Sequence, residues 1–129
     1  MGQRCSMFLL FLLIGSFLGG ICRFLISDRL NAMRLDGFPL GTFCVNATGS
    51  VLLGIVLTQA FIDAEAFAIE VFFEIGFLGA FTTFSSFSLE AYHLLQRGRF
   101  GFALTYLLAS PIFSLGGFIG VVLLNGGSL

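Results

Sequence analysis

The stretch Gly76-Phe77-Leu78-Gly79-Ala80-Phe81-Thr82-Thr83-Phe84-Ser85-Ser86-Phe87-Ser88-Leu89-Glu90 decides how this chain is read. It lies inside a long apolar segment, where two glycines weaken the helix and five hydroxyl residues then follow within seven positions. That is poor material for an ordinary membrane span. Backbone released from helical bonding at membrane depth is tolerated only where protein or a watery cavity receives it, because lipid offers no hydrogen-bond partner. The stretch therefore reads as a site, with a helix break expected near residues 76–83.

Working outward, the 129 residues are 57% hydrophobic and 10% charged, with a mean hydropathy of +1.04. A soluble domain carries about 25% charged residues, so this composition is that of an integral membrane protein. A span needs roughly 20 apolar residues. The chain offers four such segments, expected at about 7–26, 40–61, 67–95 and 100–124, and residues 1–129 are read as one four-helix transmembrane domain. As one unbroken helix the third segment would be about 43 Å long against a hydrocarbon core of about 30 Å. A break or strong tilt relieves that mismatch.

Charge and cysteine usage exclude several functions. The net charge is −1 and all six basic residues are arginine, which leaves no basic patch for nucleic acid. Cys5, Cys22 and Cys44 lack the paired spacing of a metal site, and His93 is the only histidine. No pattern of nucleophile, base and carboxylate appears, so catalysis is not expected. The start, Met1-Gly2-Gln3-Arg4-Cys5-Ser6, imitates both a signal peptide and a myristoylation site. The apolar run continues past a signal core to Ile26, so a retained first helix is expected.

In the first segment Gly15 and Gly19 form a small-xxx-small face that lets another helix approach. Arg23, near its end, reads either as a snorkelling side chain or as part of an aqueous vestibule. Asp28, Arg29, Asn31, Arg34 and Asp36 are expected to form a polar loop ending at Gly37-Phe38-Pro39. In the second segment Asn46, Gly49, Ser50 and Gly54 share one face. Asn46 has two readings: interhelical glue worth about 0.6 kcal/mol, or a pore-lining N–H donor.

The fourth segment carries Tyr106, Ser110 and Ser114 at successive i+4 steps, a hydroxyl ladder beside Pro111, with Gly116 and Gly120 as a second small-xxx-small pair. Pro111 cannot donate to the carbonyl of Leu107, which leaves a further polar backbone group nearby. Hydroxyls of this kind either bond back to carbonyls one turn earlier or line a polar path. Taken with Thr82, Thr83, Ser85, Ser86 and Ser88, they make a set of neutral donors that could replace water around a small anion without trapping it. Phe84 and Phe87, at i and i+3, could offer aromatic edges to the same ion. The break could serve either sign of charge, since it exposes carbonyls as well as a helix start near Thr83.

Three pieces of the chain together resemble the small bacterial fluoride channels of the Fluc (CrcB) family. They are Gly19-Gly20-Ile21-Cys22-Arg23-Phe24, Pro39-Leu40-Gly41-Thr42-Phe43-Cys44-Val45-Asn46-Ala47-Thr48-Gly49, and the stretch from Gly76 to Glu90. The resemblance implies an all-α, antiparallel, dual-topology homodimer in the bacterial inner membrane, with a broken third helix and two pores along the subunit interface. It implies passive fluoride exit from the cytoplasm. Asn46, Phe84, Phe87, Thr83, Ser85, Ser86, Tyr106, Ser110 and Ser114 would line the fluoride path, and Arg23 and Glu90 would stand at its vestibule. Backbone carbonyls of Gly79 and Thr82 would hold a structural sodium ion.

Two features sit awkwardly with that likeness. Arg29, Arg34, Arg97 and Arg99 fall on one side with Arg23 close by, against Arg4 alone on the other, so the positive-inside rule predicts a single orientation with both termini outside. Glu74 is an acid beside the expected break; it could face a hydrated pocket, pair with Arg23 of a neighbour, or add negative field near a cation. Two rival functions remain. One is a dual-topology small multidrug exporter, for which a carboxylate in the first span would be expected, and residues 7–22 hold none. The other is a non-conducting membrane assembly protein.

Overall fold

The computed structural model describes residues 2–33, 37–58 and 70–126, without the side chains of residues 2–5. Among them the regular structure is entirely helical: α1 (Gly2–Ala32), α2 (Leu40–Thr58), α3 (Glu70–Leu78), α4 (Gly79–Phe81), α5 (Phe84–Gln96) and α6 (Phe100–Leu124). Four stretches, Ser6–Ala32, Leu40–Thr58, Glu70–Gln96 and Phe100–Leu124, are long and apolar enough to cross a membrane. The chain is a multi-pass membrane protein. Large apolar side chains such as Leu13, Phe17, Phe24, Leu104 and Ile112 stay exposed on the outer faces of α1 and α6. Lipid is as apolar as they are, so that exposure carries no penalty.

The first helix runs further than the sequence suggested. It continues beyond Ile26 to Ala32, so Asp28, Arg29 and Asn31 are helical and not in a loop. No glycine or proline interrupts residues 27–32, and the edge of the hydrocarbon ends the apolar composition without ending the hydrogen-bond ladder. The extension has a use: Asn31 Oδ1 accepts the Gly41 amide at 2.9 Å, satisfying one of the orphan donors at the start of α2. The turn between the two helices includes Gly37 at φ 80°, a left-handed value that favours glycine. Arg34 and Asp36 lie outside the described residues, as do 59–61 and 67–69, where the second and third segments were expected to end and begin.

Packing pairs α1 with α3 and α4, and α2 with α6. The Gly15–Gly19 face receives α3: a Cβ on Gly15 would run into the carbonyl oxygen of Phe72, and one on Gly19 into that of Phe77. Gly76 belongs to the same seam, since its Cβ would lie 3.2 Å from Gly15 Cα. Its absent side chain thus serves helix contact. Gly116 and Gly120 differ: side chains there would meet nothing within 4 Å in the protomer.

Residues 70–83 have an unusual backbone. Glu70–Leu78 is wound in the wide π manner, Gly79–Phe81 returns to α geometry, and Thr82 (φ −82°, ψ 155°) and Thr83 (φ −151°, ψ 122°) are extended before α5 begins at Phe84. Runs of π winding are rare and gather at functional sites. Along α3 and α4 the rings of Phe73, Phe77 and Phe81 stack in a column, with centroids 5.2 and 5.7 Å apart. A small core at the other end joins Ala91 and Leu94 of α5 to Ala103 and Tyr106 of α6, with Phe38, Phe43 and Phe87 packed on it.

Candidate functional site

The two extended threonines border a cavity of about 430 Å³. Asn46, Gly49, Ser50 and Leu53 line it from α2, and Glu74, Leu78 and Gly79 from α3 and α4. Thr82, Thr83, Phe84 and Phe87 line a third side, and Ser110, Pro111, Ser114 and Leu115 of α6 close the last. Residues from four separate parts of the sequence therefore meet at one place. The lining combines neutral hydroxyls and an amide with aromatic and aliphatic walls, and among the described residues Glu74 is its one ionisable side chain.

Asn46 is engaged with backbone. Its Oδ1 accepts the Thr83 amide at 2.8 Å and its Nδ2 donates to the Thr83 carbonyl at 2.9 Å, so the interhelical bond anticipated for it is made to main chain. Thr83 also caps α5, its hydroxyl accepting the Ser86 amide at 3.2 Å. Ser85 and Ser86 do not line the cavity; their hydroxyls lie 3.2 Å from that of Thr83. Ser88 bonds back to the Phe84 carbonyl at 2.9 Å, the helical habit of serine.

The expected ladder on α6 divides. Ser110 and Ser114 reach the cavity, whereas Tyr106 is fully buried and donates its hydroxyl to Glu90 Oε2 at 2.7 Å. Thr42 donates to the other oxygen, Oε1, at 2.8 Å. Thr42 was not singled out from the sequence, although it stands one turn before Asn46 on α2 and is 3% exposed. Phe87 touches both groups, lining the cavity while its ring packs 5.0 Å from that of Tyr106. Phe84 lies 5.7 Å from Phe87, tilted by 43°, and is 78% exposed.

Arg23 takes a role that neither sequence reading foresaw. Its Nε donates to the Ala80 carbonyl at 2.9 Å, tying α1 to the middle of the short α4. Gly79 and Thr82 both line the cavity, and the Thr82 amide and hydroxyl both donate to the Leu78 carbonyl at 3.0 Å. In a continuous helix the Thr83 amide would bond to the carbonyl of Gly79; here Asn46 takes that amide. Among the described residues no cluster of three or more His, Cys, Asp or Glu side chains could hold a metal.

A family described as "CrcB-like protein, Camphor Resistance (CrcB)" matches residues 10–123, a span that contains every described residue lining the cavity. The chain belongs to the CrcB-like family. Relatives of this CrcB-like chain include the "Fluoride-specific ion channel FluC" of Coxiella burnetii, 36% identical over 88% of this chain and 94% of the relative. The "Fluoride-specific ion channel FluC 2" of Bacillus thuringiensis subsp. konkukian is 41% identical over 76% and 80% of the two chains. The "Fluoride-specific ion channel FluC 1" of Nitrobacter hamburgensis is 34% identical over 87% and 90%. These are names of ion channels, not of enzymes.

Proposed function

We propose that this CrcB-like protein is a fluoride-selective channel that lets F⁻ leave the bacterial cytoplasm passively across the inner membrane. The observation that carries the reading is the meeting of Asn46, Thr83, Ser110 and Ser114 with the rings of Phe84 and Phe87 around one cavity. Neutral donors substitute for part of an ion's water shell while still allowing it to leave. The positive edges of the two rings add attraction without a fixed charge. Hydrogen fluoride enters a cell as a neutral molecule and loses its proton inside, and the anion then departs down its gradient, aided by the inside-negative potential.

The working unit in this reading is an antiparallel, dual-topology homodimer with two pores along its interface. Hydroxyls and a carboxylate cannot face hydrocarbon at low cost, and a second copy laid over the cavity would shelter them. In this reading the third spans of the two protomers would cross at Thr82 and Thr83, which are extended. The carbonyls of Gly79 and Thr82 fit a structural sodium ion at that crossing, because they are hard, neutral oxygen donors and the usual helical partner of Gly79 is engaged by Asn46. Bound there, sodium would supply a fixed positive charge joining the protomers. Arg23 and Glu90 would then stand beside the path as anchors for backbone and hydroxyls.

The multidrug exporter keeps one observation in its favour, the presence of Glu74 on the cavity wall within a candidate span. Proton-coupled uptake of a cationic drug would select it, and a protein that moves no ion at all would be the assembly factor. The deciding experiment is fluoride release from liposomes after valinomycin, followed with a fluoride electrode and with chloride release run alongside. Fast fluoride release with little chloride is expected. No release from a folded, dimeric preparation in sodium would overturn the channel.

A further inference from the structure

We infer that Asn46 is a positioning residue: its carboxamide clamps both main-chain groups of Thr83 and so sets where the ring of Phe84 stands. The two bonds, 2.8 Å to the amide and 2.9 Å to the carbonyl, form a closed pair of the kind that neighbouring strands exchange. Thr83 needs such a partner. Extended backbone between two helices has lost its own ladder, and nothing in a membrane except protein or trapped water replaces it.

The same helix face holds the other extended residue. One turn on from Asn46, Gly49 is buried against Thr82 and Phe81; a Cβ there would overlap Thr82 Cγ2 and lie 3.2 Å from Phe81 Cδ1. Asn46 therefore grips Thr83 by hydrogen bonds while Gly49 seats Thr82 by shape. The hydroxyl of Thr83 in turn takes the Ser86 amide and starts α5.

Phe84 is the first residue of that helix and, at 78% exposed in the protomer, has little packing from its own chain to hold it. Within the protomer its ring meets that of Phe87. Its place is inherited from the backbone immediately before it, which is the backbone Asn46 holds. An amide nitrogen carries two hydrogens, and one is spent on Thr83. Asn46 can thus offer an ion at most one hydrogen while the clamp is closed, and its larger effect on passage runs through Phe84. The effect on passage rests on the channel reading; the positioning itself does not.

The test is 19F NMR of the purified full-length protein carrying 4-fluorophenylalanine at position 84, in chloride buffer without fluoride. Asn46→Leu, which removes both bonds at similar size, should shift or broaden that resonance. Asn46→Asp keeps the acceptor and loses the donor, and should shift it less. Thr48→Ala, whose hydroxyl bonds only within α2, should leave it in place. In the parent protein the Thr83 amide should exchange slowly with deuterium, a readout that holds even if the variants fail to fold. An unmoved Phe84 resonance in Asn46→Leu and Asn46→Asp, or fast exchange at Thr83, would overturn the clamp. A parent that shows the clamp but releases no fluoride would instead overturn the channel.

Discussion

Tyr106, fully buried on α6, donates its hydroxyl to Glu90 of α5 at 2.7 Å. The carboxylate is shared, since Thr42 of α2 fills its other oxygen at 2.8 Å. Three helices are thereby tied at one acid. Leaving a buried acceptor without its hydrogen bond costs about 1–3 kcal/mol. Tyr106→Phe should lower the unfolding free energy in detergent by about 2 kcal/mol, and Thr42→Val by a similar amount. The double variant should lose more than the sum, because either donor alone still pairs the buried carboxyl group, whereas removing both leaves it without a partner.

The two phenylalanines should separate by stability. Phe87 packs on Tyr106 and the core, so Phe87→Ile should cost about 1–2 kcal/mol as well as flux. Within the protomer Phe84 is largely exposed, so Phe84→Ile should cost the protomer's own fold no more than about 0.5 kcal/mol. Each should slow fluoride release by roughly tenfold, equivalent to ~1.4 kcal/mol of barrier. Flux like that of the parent in both variants would remove the role assigned to the rings.

Neighbouring glycines on α1 should behave in opposite ways. A methyl at Gly19 would collide with the Phe77 carbonyl oxygen, whereas one at Gly20 meets nothing within 4 Å. Gly19→Ala should cost at least 1–3 kcal/mol, about the range for overpacking a tight contact. Gly20→Ala should be neutral or slightly stabilising through helix propensity. Thermal unfolding of the two variants in one detergent compares them directly.

Glu74 makes no hydrogen bond or ion pair with another described side chain, although it lines the cavity. Glu74→Gln should therefore keep fluoride release within about twofold, or ~0.4 kcal/mol. The multidrug exporter would instead require the carboxylate, and its drug transport would vanish with it. Liposome flux of both substrates in the same variant decides between them.

Orientation is tested by a single cysteine. Arg97 is exposed just beyond α5, and Arg97→Cys, in a background with Cys5, Cys22 and Cys44 replaced, should react with an impermeant maleimide from both sides of the membrane if protomers insert both ways. Labelling from one side alone would side with the arginine count and contradict dual insertion.

Much of the architecture is legible without coordinates. Apolar runs of span length specify four crossings, because lipid forces each crossing to satisfy its own backbone. The hydroxyl-rich stretch from Thr82 to Ser88 is visible as a misfit for the same reason. Gly15 and Gly19 announce a close contact, since bare backbone in a membrane helix has few other uses. What such reading misses is where a polar element stops relative to the helix, as residues 28–32 illustrate: apolar composition ends there and hydrogen bonding does not.

The partners of polar side chains were decided only in three dimensions. Asn46 could be named as an amide in need of a bond, but its mate lies 37 residues away on a backbone that is itself irregular. Tyr106, Ser110 and Ser114 look equivalent at i+4 spacing, yet the rotation of α6 against α5 sends the first to Glu90 and the other two to the cavity. Sequence determines which groups must be satisfied, because desolvation is a property of the residue and its solvent. Which group satisfies them depends on helix rotation and approach, set jointly by all the packed faces, and that information resides in no single stretch.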